Sequence, residues 1–483
     1  MDHQTQKLYE KAAGQILTQI QQGVLPLGKK IPSIRVFSRQ LGVSLSTVIH
    51  AYQILESQNV LQSRPQSGYY VNSNAPLSNL EPRKVPIPPN FSKIPIMKLD
   101  RDVPHVIAAC TDPENLVFSL SYPGLEVLNH NALKKCLTAG YERQGLWGLR
   151  YAFPLGNLAL RTQLARHYLE CGLTLSPDDF YLTNGCLESF LLCVNAVARA
   201  GDIIAMDSPI FGGLLYTIKS MKIKILEIPL DPRQGMDLDY LKKAMRKYRI
   251  KAVASVPNFN NPMGCLMPDA NKKRLVEMLA EKNIPLIEDD IYGDMYLGET
   301  RPKPAKAYDT TGNVLLCSSF SKSLAAGLRV GWVAAGKYQD KVQGYKFMVN
   351  VGSNPATEDG LAKFMEDGHF KRHLRKLRKF LAEQLPHFTQ AMTKYFPEGT
   401  KTSLPAGGSN LWVEFPKKVD SSKLHKEAWT KKIIIWAGPL YSVSPKARHC
   451  SIVQFGHRWS ERIDQALKTV GDLAKKQMVN KSS

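Results

Sequence analysis

The chain has 483 residues, 43% of them hydrophobic, enough apolar material for two or three domains with cores of their own. Its formal net charge of +22 favours a polyanionic partner such as nucleic acid, with a merely basic soluble protein as the plain alternative. No apolar run is long enough for a membrane span, the opening MDHQTQKLYEK lacks the pattern of a signal peptide, and the eight cysteines are scattered without CxxC or zinc spacing. The expectation is a cytoplasmic protein with reduced thiols and no membrane contact.

Residues 1–72 read as one unit. KLYEKAAGQILTQIQQG has apolar residues at helical spacing and stops at Gly23. IPSIRVFSRQLG is a short helix opened by Pro32 and Ser33, and VSLSTVIHAYQILESQ is a third helix with Ser44 as N-cap. VLQSRPQSGYYV then gives two short strands around Pro65–Gly68. Three helices and a hairpin are the outline of a winged helix-turn-helix, whose third helix enters the major groove with its N-terminal residues nearest the bases.

The order Leu8-Tyr9, Gly23, Pro32-Ser33-Ile34-Arg35, Gly42-Val43-Ser44, Thr47-Val48, Ala51-Tyr52, Leu55 and Ser67-Gly68-Tyr69-Tyr70-Val71 resembles the DNA-binding domain of the GntR superfamily. The resemblance implies contacts to double-stranded DNA from Ser33, Arg35, Ser44, Ser46, Thr47, Arg64 and Gly68. A small helical domain that binds protein instead is the structural alternative. Many relatives carry Arg directly after the serine of the Val-Ser pair; here it is Leu45, so a guanidinium does not read the groove at that step. Residues 73–104, rich in Pro, Ser and Asn, read as a linker.

Over 105–478 strand-like runs alternate with helical ones: DFYLTN, ESFLLCVNAVARAG, DIIAM, FGGLLYTIKS, IKILEIP, KAVASVP, KKRLVEMLAEKN, IPLIEDD and NVLLCSSF. This alternation predicts an α/β domain with a largely parallel sheet, which puts functional residues just after the strands. Four motifs lie there: Asn184-Gly185 before a helix, Asn261-Pro262-Met263-Gly264, Asp289 with Tyr292 three residues on, and Ser319 with Lys322. Lys322 sits among small and hydroxylic residues rather than other charges, a setting in which a lysine can attack a carbonyl. A helix N-terminus after Gly185 offers the Cys186 and Leu187 amides to an anion.

Four such motifs in this order resemble fold-type I pyridoxal-phosphate enzymes of the aminotransferase class, which have a large α/β domain and a smaller one. The resemblance implies that Lys322 bonds the aldehyde of pyridoxal 5′-phosphate and that Asp289 pairs with its ring nitrogen. It implies that Asn261 and Tyr292 bond the 3′-oxygen and that Phe211 stacks on the ring. Gly185, Cys186, Leu187, Ser319 and Arg329 would hold the phosphate, joined by Tyr151 from a neighbouring subunit of a homodimer. Head and body together resemble the MocR-type branch of the GntR superfamily. The expectation is a PLP-dependent transcription regulator that senses PLP or an amino compound and binds an operator with two half-sites. A working aminotransferase with an appended head, or a degenerate body kept as a dimerisation scaffold, are the competing readings.

One position departs from that pattern. Aminotransferases hold the substrate carboxylate with an arginine on a late strand; in RHCSIVQFGHRW, aligned at Phe455, the resemblance puts that position on Ile452, and a one-residue shift puts it on Val453, also apolar. Arg448 and Arg458 are the nearby candidates to replace it. The basic stretch FKRHLRKLRKF, 370–380, reads either as a solvated helix face or as an auxiliary contact to the DNA backbone.

Overall fold

The computed structural model describes residues 8–479, apart from 73–107 and short stretches at 22–24, 26–27, 58–59, 65–66, 121–124, 153–154 and 444. The expected helix stop at Gly23 and the linker lie outside the described residues.

The head contains helices α1 (Leu8–Gln21), α2 (Ile34–Leu41) and α3 (Leu45–Ser57), then strands β1 (Leu61–Arg64) and β2 (Gly68–Val71). Ser44 caps α3 by accepting a hydrogen bond from the Thr47 amide, 3.1 Å away. Gly42 ends α2 at φ 64°, the left-handed conformation that lets the chain turn sharply into α3. Ile16, Phe37, Val48, Ala51, Tyr52 and Leu55 form the small core, in which the Tyr52 ring meets Phe37 and Tyr69 edge-on. The strands pair antiparallel with Arg64 opposite Gly68, the geometry of a wing.

In the body, β3 (Leu116–Val117) precedes β4 (Phe180–Thr183), β5 (Ile203–Ser208), β6 (Lys224–Asp231), β7 (Gly235–Met236), β8 (Ile250–Ser255), β9 (Leu286–Asp289), β10 (Val314–Ser319) and β11 (Gly331–Ala334). The last eight form one sheet in the order β4-β11-β10-β9-β8-β5-β6-β7. Strands β6, β5, β8, β9 and β10 run parallel, whereas β11 is antiparallel to both neighbours. The sheet is therefore mixed at its edges and parallel at its centre. Its central strands are buried along nearly their whole length, as a sheet covered on both faces requires.

The smaller domain holds β12 (Lys401–Thr402), β13 (Asn410–Glu414), β14 (Ile433–Ile434), β15 (Trp436–Ala437) and β16 (Cys450–Gln454); β12-β13-β16-β15 form an antiparallel sheet. The helix Glu461–Val479 packs against the long helix His369–Tyr395. That long helix contains the basic stretch. Leu374 and Leu377 are buried, while Lys371, Arg372, Arg375, Lys376 and Lys379 are exposed, so its charges form an outward face. Among the described residues no helix is long and apolar enough to cross a membrane.

Candidate functional site

The carboxyl ends of adjacent parallel strands converge, which brings residues distant in sequence to one place. Cys317 of β10 lies opposite Asp289 of β9, and Lys322 follows in a π-helical turn, Ser321–Ala325. Burial lowers the Lys322 ammonium to about 8; the Asp289 charge opposes the shift and Arg329 adds to it. Burial likewise raises the Asp289 carboxyl to about 6, against hydrogen bonds from the Ile291 amide at 3.0 Å and the Cys186 thiol at 3.3 Å. Asn261, on the loop after β8, donates from Nδ2 to the Tyr292 hydroxyl at 2.9 Å. Burial pushes that hydroxyl well above its usual range, and the neighbouring Asp289 charge reinforces the shift against hydrogen bonds with Asn261 and Asn410.

Gly185 precedes the helix Cys186–Val197 with φ 100°, a conformation that favours glycine. A Cβ there would lie 2.5 Å from Arg329 Nη2, so a larger residue would push the guanidinium from its present place. Arg329 donates to the Asn184 carbonyl at 2.6 Å, the Ala326 carbonyl at 3.1 Å and the Ser321 hydroxyl at 3.4 Å. Ser319, at the end of β10, accepts from the Ser321 amide at 3.2 Å. Helix geometry leaves the first-turn N–H groups, those of Cys186 and Leu187 among them, without intrahelical acceptors. Guanidinium, serine hydroxyls and amides thus form a cradle suited to a dianionic phosphate. Phe211 is half-buried before the helix Gly212–Ser220. Tyr151 is 79% exposed in the single chain.

These residues fit pyridoxal 5′-phosphate. The cradle that a side chain at Gly185 would fill suits its phosphate, Asp289 its ring nitrogen, and Lys322 its aldehyde. The buried Asn261 Oδ1 has no protein partner, as expected of a group reserved for a ligand. Sequence reasoning missed three contributors. The Cys186 side chain, and not its amide alone, takes part: its thiol donates to Asp289. Asn410 reaches Tyr292 from β13, and Ser321 steadies Arg329. The SSFSK run contains Ser321, but nothing local marks Asn410.

Ile452 is fully buried between two tryptophans, with Trp412 and Trp436 as its cross-strand partners. Both candidate arginines are engaged elsewhere. Exposed Arg448 is bound to Asp420 at 2.6 Å, and exposed Arg458 lies 4.0 Å from Glu126 and over the Phe380 ring.

In the head, Arg35, Ser44, Ser46, Arg64 and Gly68 are exposed, as are Ser33 and Leu45, and Thr47 is half-exposed. The Ser44 hydroxyl lies 2.8 Å from those of both Ser46 and Thr47, so one polar cluster opens the third helix. The Arg64 guanidinium stacks on the Tyr70 ring at 4.1 Å, which holds the wing arginine in place.

The bacterial regulatory protein gntR family model matches residues 8–71, and the aminotransferase class I and II model matches 135–451. The HTH-type transcriptional regulator YjiR of Escherichia coli is 35% identical over 464 residues, covering 96% of this chain and 98% of the relative. YdcR of the same organism, also named an HTH-type transcriptional regulator, is 34% identical over 472 residues, covering 98% and 100%. Among solved structures, kynurenine aminotransferase of Pyrococcus horikoshii aligns with a TM-score of 0.73 at 23% identity, over 80% of this chain and 97% of that one. The chain therefore belongs to the HTH-type transcriptional regulators of MocR-like architecture, in which a GntR-family DNA-binding head is joined to an aminotransferase class I and II body, the fold whose cofactor is pyridoxal 5′-phosphate.

Proposed function

We propose that the body reports cofactor or ligand status to the head, so that DNA binding responds to PLP or to an amino compound held beside Lys322. The observation that carries this reading is the pairing of an intact set with a missing clamp. Lys322, Asp289, Asn261 and Tyr292 are together, while the resemblance assigns buried, apolar Ile452 to the position where aminotransferases carry an arginine. When bound, PLP would supply an aldehyde and an electron sink. The chain's part is to present at Lys322 an amine that becomes neutral at lower pH than an ordinary lysine, hold a carboxylate at Asp289 and cradle a phosphate at Arg329 and Ser319.

In this reading residues 1–72 form the head, 73–104 the linker and 105–478 the body. A two-fold homodimer, with Tyr151 of each chain serving its neighbour's phosphate site, would present two heads to two half-sites. The exposure of Leu146, Trp147, Leu149 and Tyr151 supports it, because apolar surface gathered in one segment fits an interface. The intact lysine set favours a second reading, a working transaminase with an appended head. Fluorescence anisotropy on a two-half-site operator, with and without PLP, for wild type and Lys322→Ala, tests the proposal. A cofactor-dependent affinity in wild type that disappears in Lys322→Ala is expected. Identical curves would remove PLP as the regulator.

A further inference from the structure

The wall that replaces the carboxylate clamp has a chemistry of its own. Gln454 lies opposite Asn410 in the antiparallel pair β13–β16, so their side chains share one face of the sheet. Asn410 bonds Tyr292, which places that face on the Lys322 pocket. Both amides are almost fully buried. Gln454 Nε2 donates to the Ser119 carbonyl at 3.3 Å. That carbonyl can only accept, so the orientation of the Gln454 amide is fixed and Oε1 is directed away from Ser119. Neither Gln454 Oε1 nor Asn410 Oδ1 has a donor, and a buried amide oxygen left without one is costly. Two residues back along β16, on the same face, Ile452 lies between Trp412 and Trp436 in an apolar cluster that includes Tyr441. A carboxylate placed here would face two amide oxygens and an apolar cluster. It would be desolvated, and this wall of described residues offers it no partner charge.

We propose that this pocket recognises an amino compound carrying a neutral N–H or O–H donor where an α-amino acid carries its carboxylate, with Gln454 and Asn410 as the receiving groups. This rests on the reading of the Lys322 pocket as the ligand site of a PLP-loaded body. Selectivity comes from the acceptors: the donor satisfies two orphan amide oxygens that repel a carboxylate, and the only buried donor left over beside Ile452 among the described residues is the neutral Trp436 indole N–H.

The test uses the PLP-loaded full-length protein and two probes that differ only at that group, L-alaninamide and L-alanine. Binding is read by calorimetry and by tryptophan fluorescence, since Trp412 and Trp436 border the pocket. L-alaninamide should bind about 100-fold more tightly than L-alanine, the scale expected when a charged group is buried unpaired. Gln454→Met and Asn410→Leu should each shrink that preference by about tenfold, one hydrogen bond to a buried acceptor. Retained cofactor absorbance and an unchanged unfolding midpoint establish that the variants fold. Equal or tighter binding of L-alanine, no binding of either probe, or a preference untouched in both variants would overturn the inference. A chain that takes up no PLP overturns the parent reading as well, whereas a loaded chain that prefers L-alanine overturns this one alone.

Discussion

Asn261 Nδ2 lies 2.9 Å from the Tyr292 hydroxyl, although thirty-one residues separate them. The contact exists because β8 and β9 are parallel neighbours, so the loops that follow both strands open on the same edge. Lys322, one strand further across, joins them by the same rule.

The first prediction concerns pH. Lys322 must be neutral to add to an aldehyde, and its ammonium titrates at about 8 rather than in the ordinary lysine range. Asp289 must be ionised to pair with a protonated ring nitrogen, and it titrates at about 6. PLP uptake by the apo-protein, followed by cofactor absorbance, should therefore strengthen as pH rises from about 6 to about 8. Lys322→Ala should abolish the borohydride-trappable link. A flat pH profile would contradict both shifts.

A second prediction separates the pair. The Asp289 charge holds the Lys322 pKa up, so Asp289→Asn should move the Lys322 titration below 8. It should also weaken PLP binding, because the ring nitrogen would have no anionic partner. In the apo-protein the sign for stability is reversed. A carboxyl raised on folding favours the protonated state, so its contribution to stability is lost as pH rises through about 6. Thermal unfolding of Asp289→Asn against wild type across pH 5–8 should show the variant gaining relative stability at the upper end.

Assembly is the third. Leu146, Trp147 and Leu149 are 82%, 70% and 80% exposed in the single chain. Sedimentation of the PLP-loaded protein at micromolar concentration should give a dimer. Leu146→Lys combined with Leu149→Lys should shift it toward monomer and weaken PLP retention, because Tyr151 would no longer complete the partner site. A wild-type monomer would refute the shared-site reading.

The head yields the fourth. Arg35→Ala and Arg64→Ala should weaken operator binding and make the salt dependence shallower, by about 0.9 in log–log slope for each phosphate that is no longer neutralised. Thr47→Val should instead relax base preference, by about 1–3 kcal/mol for one hydrogen bond to a base edge. Ser44→Ala removes the cap on the third helix and should cost about 1 kcal/mol of head stability, read from hydrogen exchange of the amides in Leu45–Ser57. Equal salt slopes in wild type and both arginine variants would take Arg35 and Arg64 off the backbone.

The sequence by itself was enough for the head, the alternation of strands and helices, and the loops that carry Lys322, Asp289, Asn261 and Gly185. Each of these is written locally: a cap three residues before the amide it binds, a glycine where the backbone must take positive φ, a polar residue at the end of an apolar run. The Ile452 departure came from the family resemblance, with the strand aligned at Phe455, and not from a local pattern. Only the tertiary structure brought Cys186 against Asp289, set Gln454 beside Asn410, and assigned Arg448 and Arg458 to Asp420 and Glu126. Those relations join residues from about 28 to more than 300 positions apart, as when Gln454 bonds the Ser119 carbonyl. They depend on strand order and register, and a linear pattern of hydrophobicity carries no record of which strand will lie beside which.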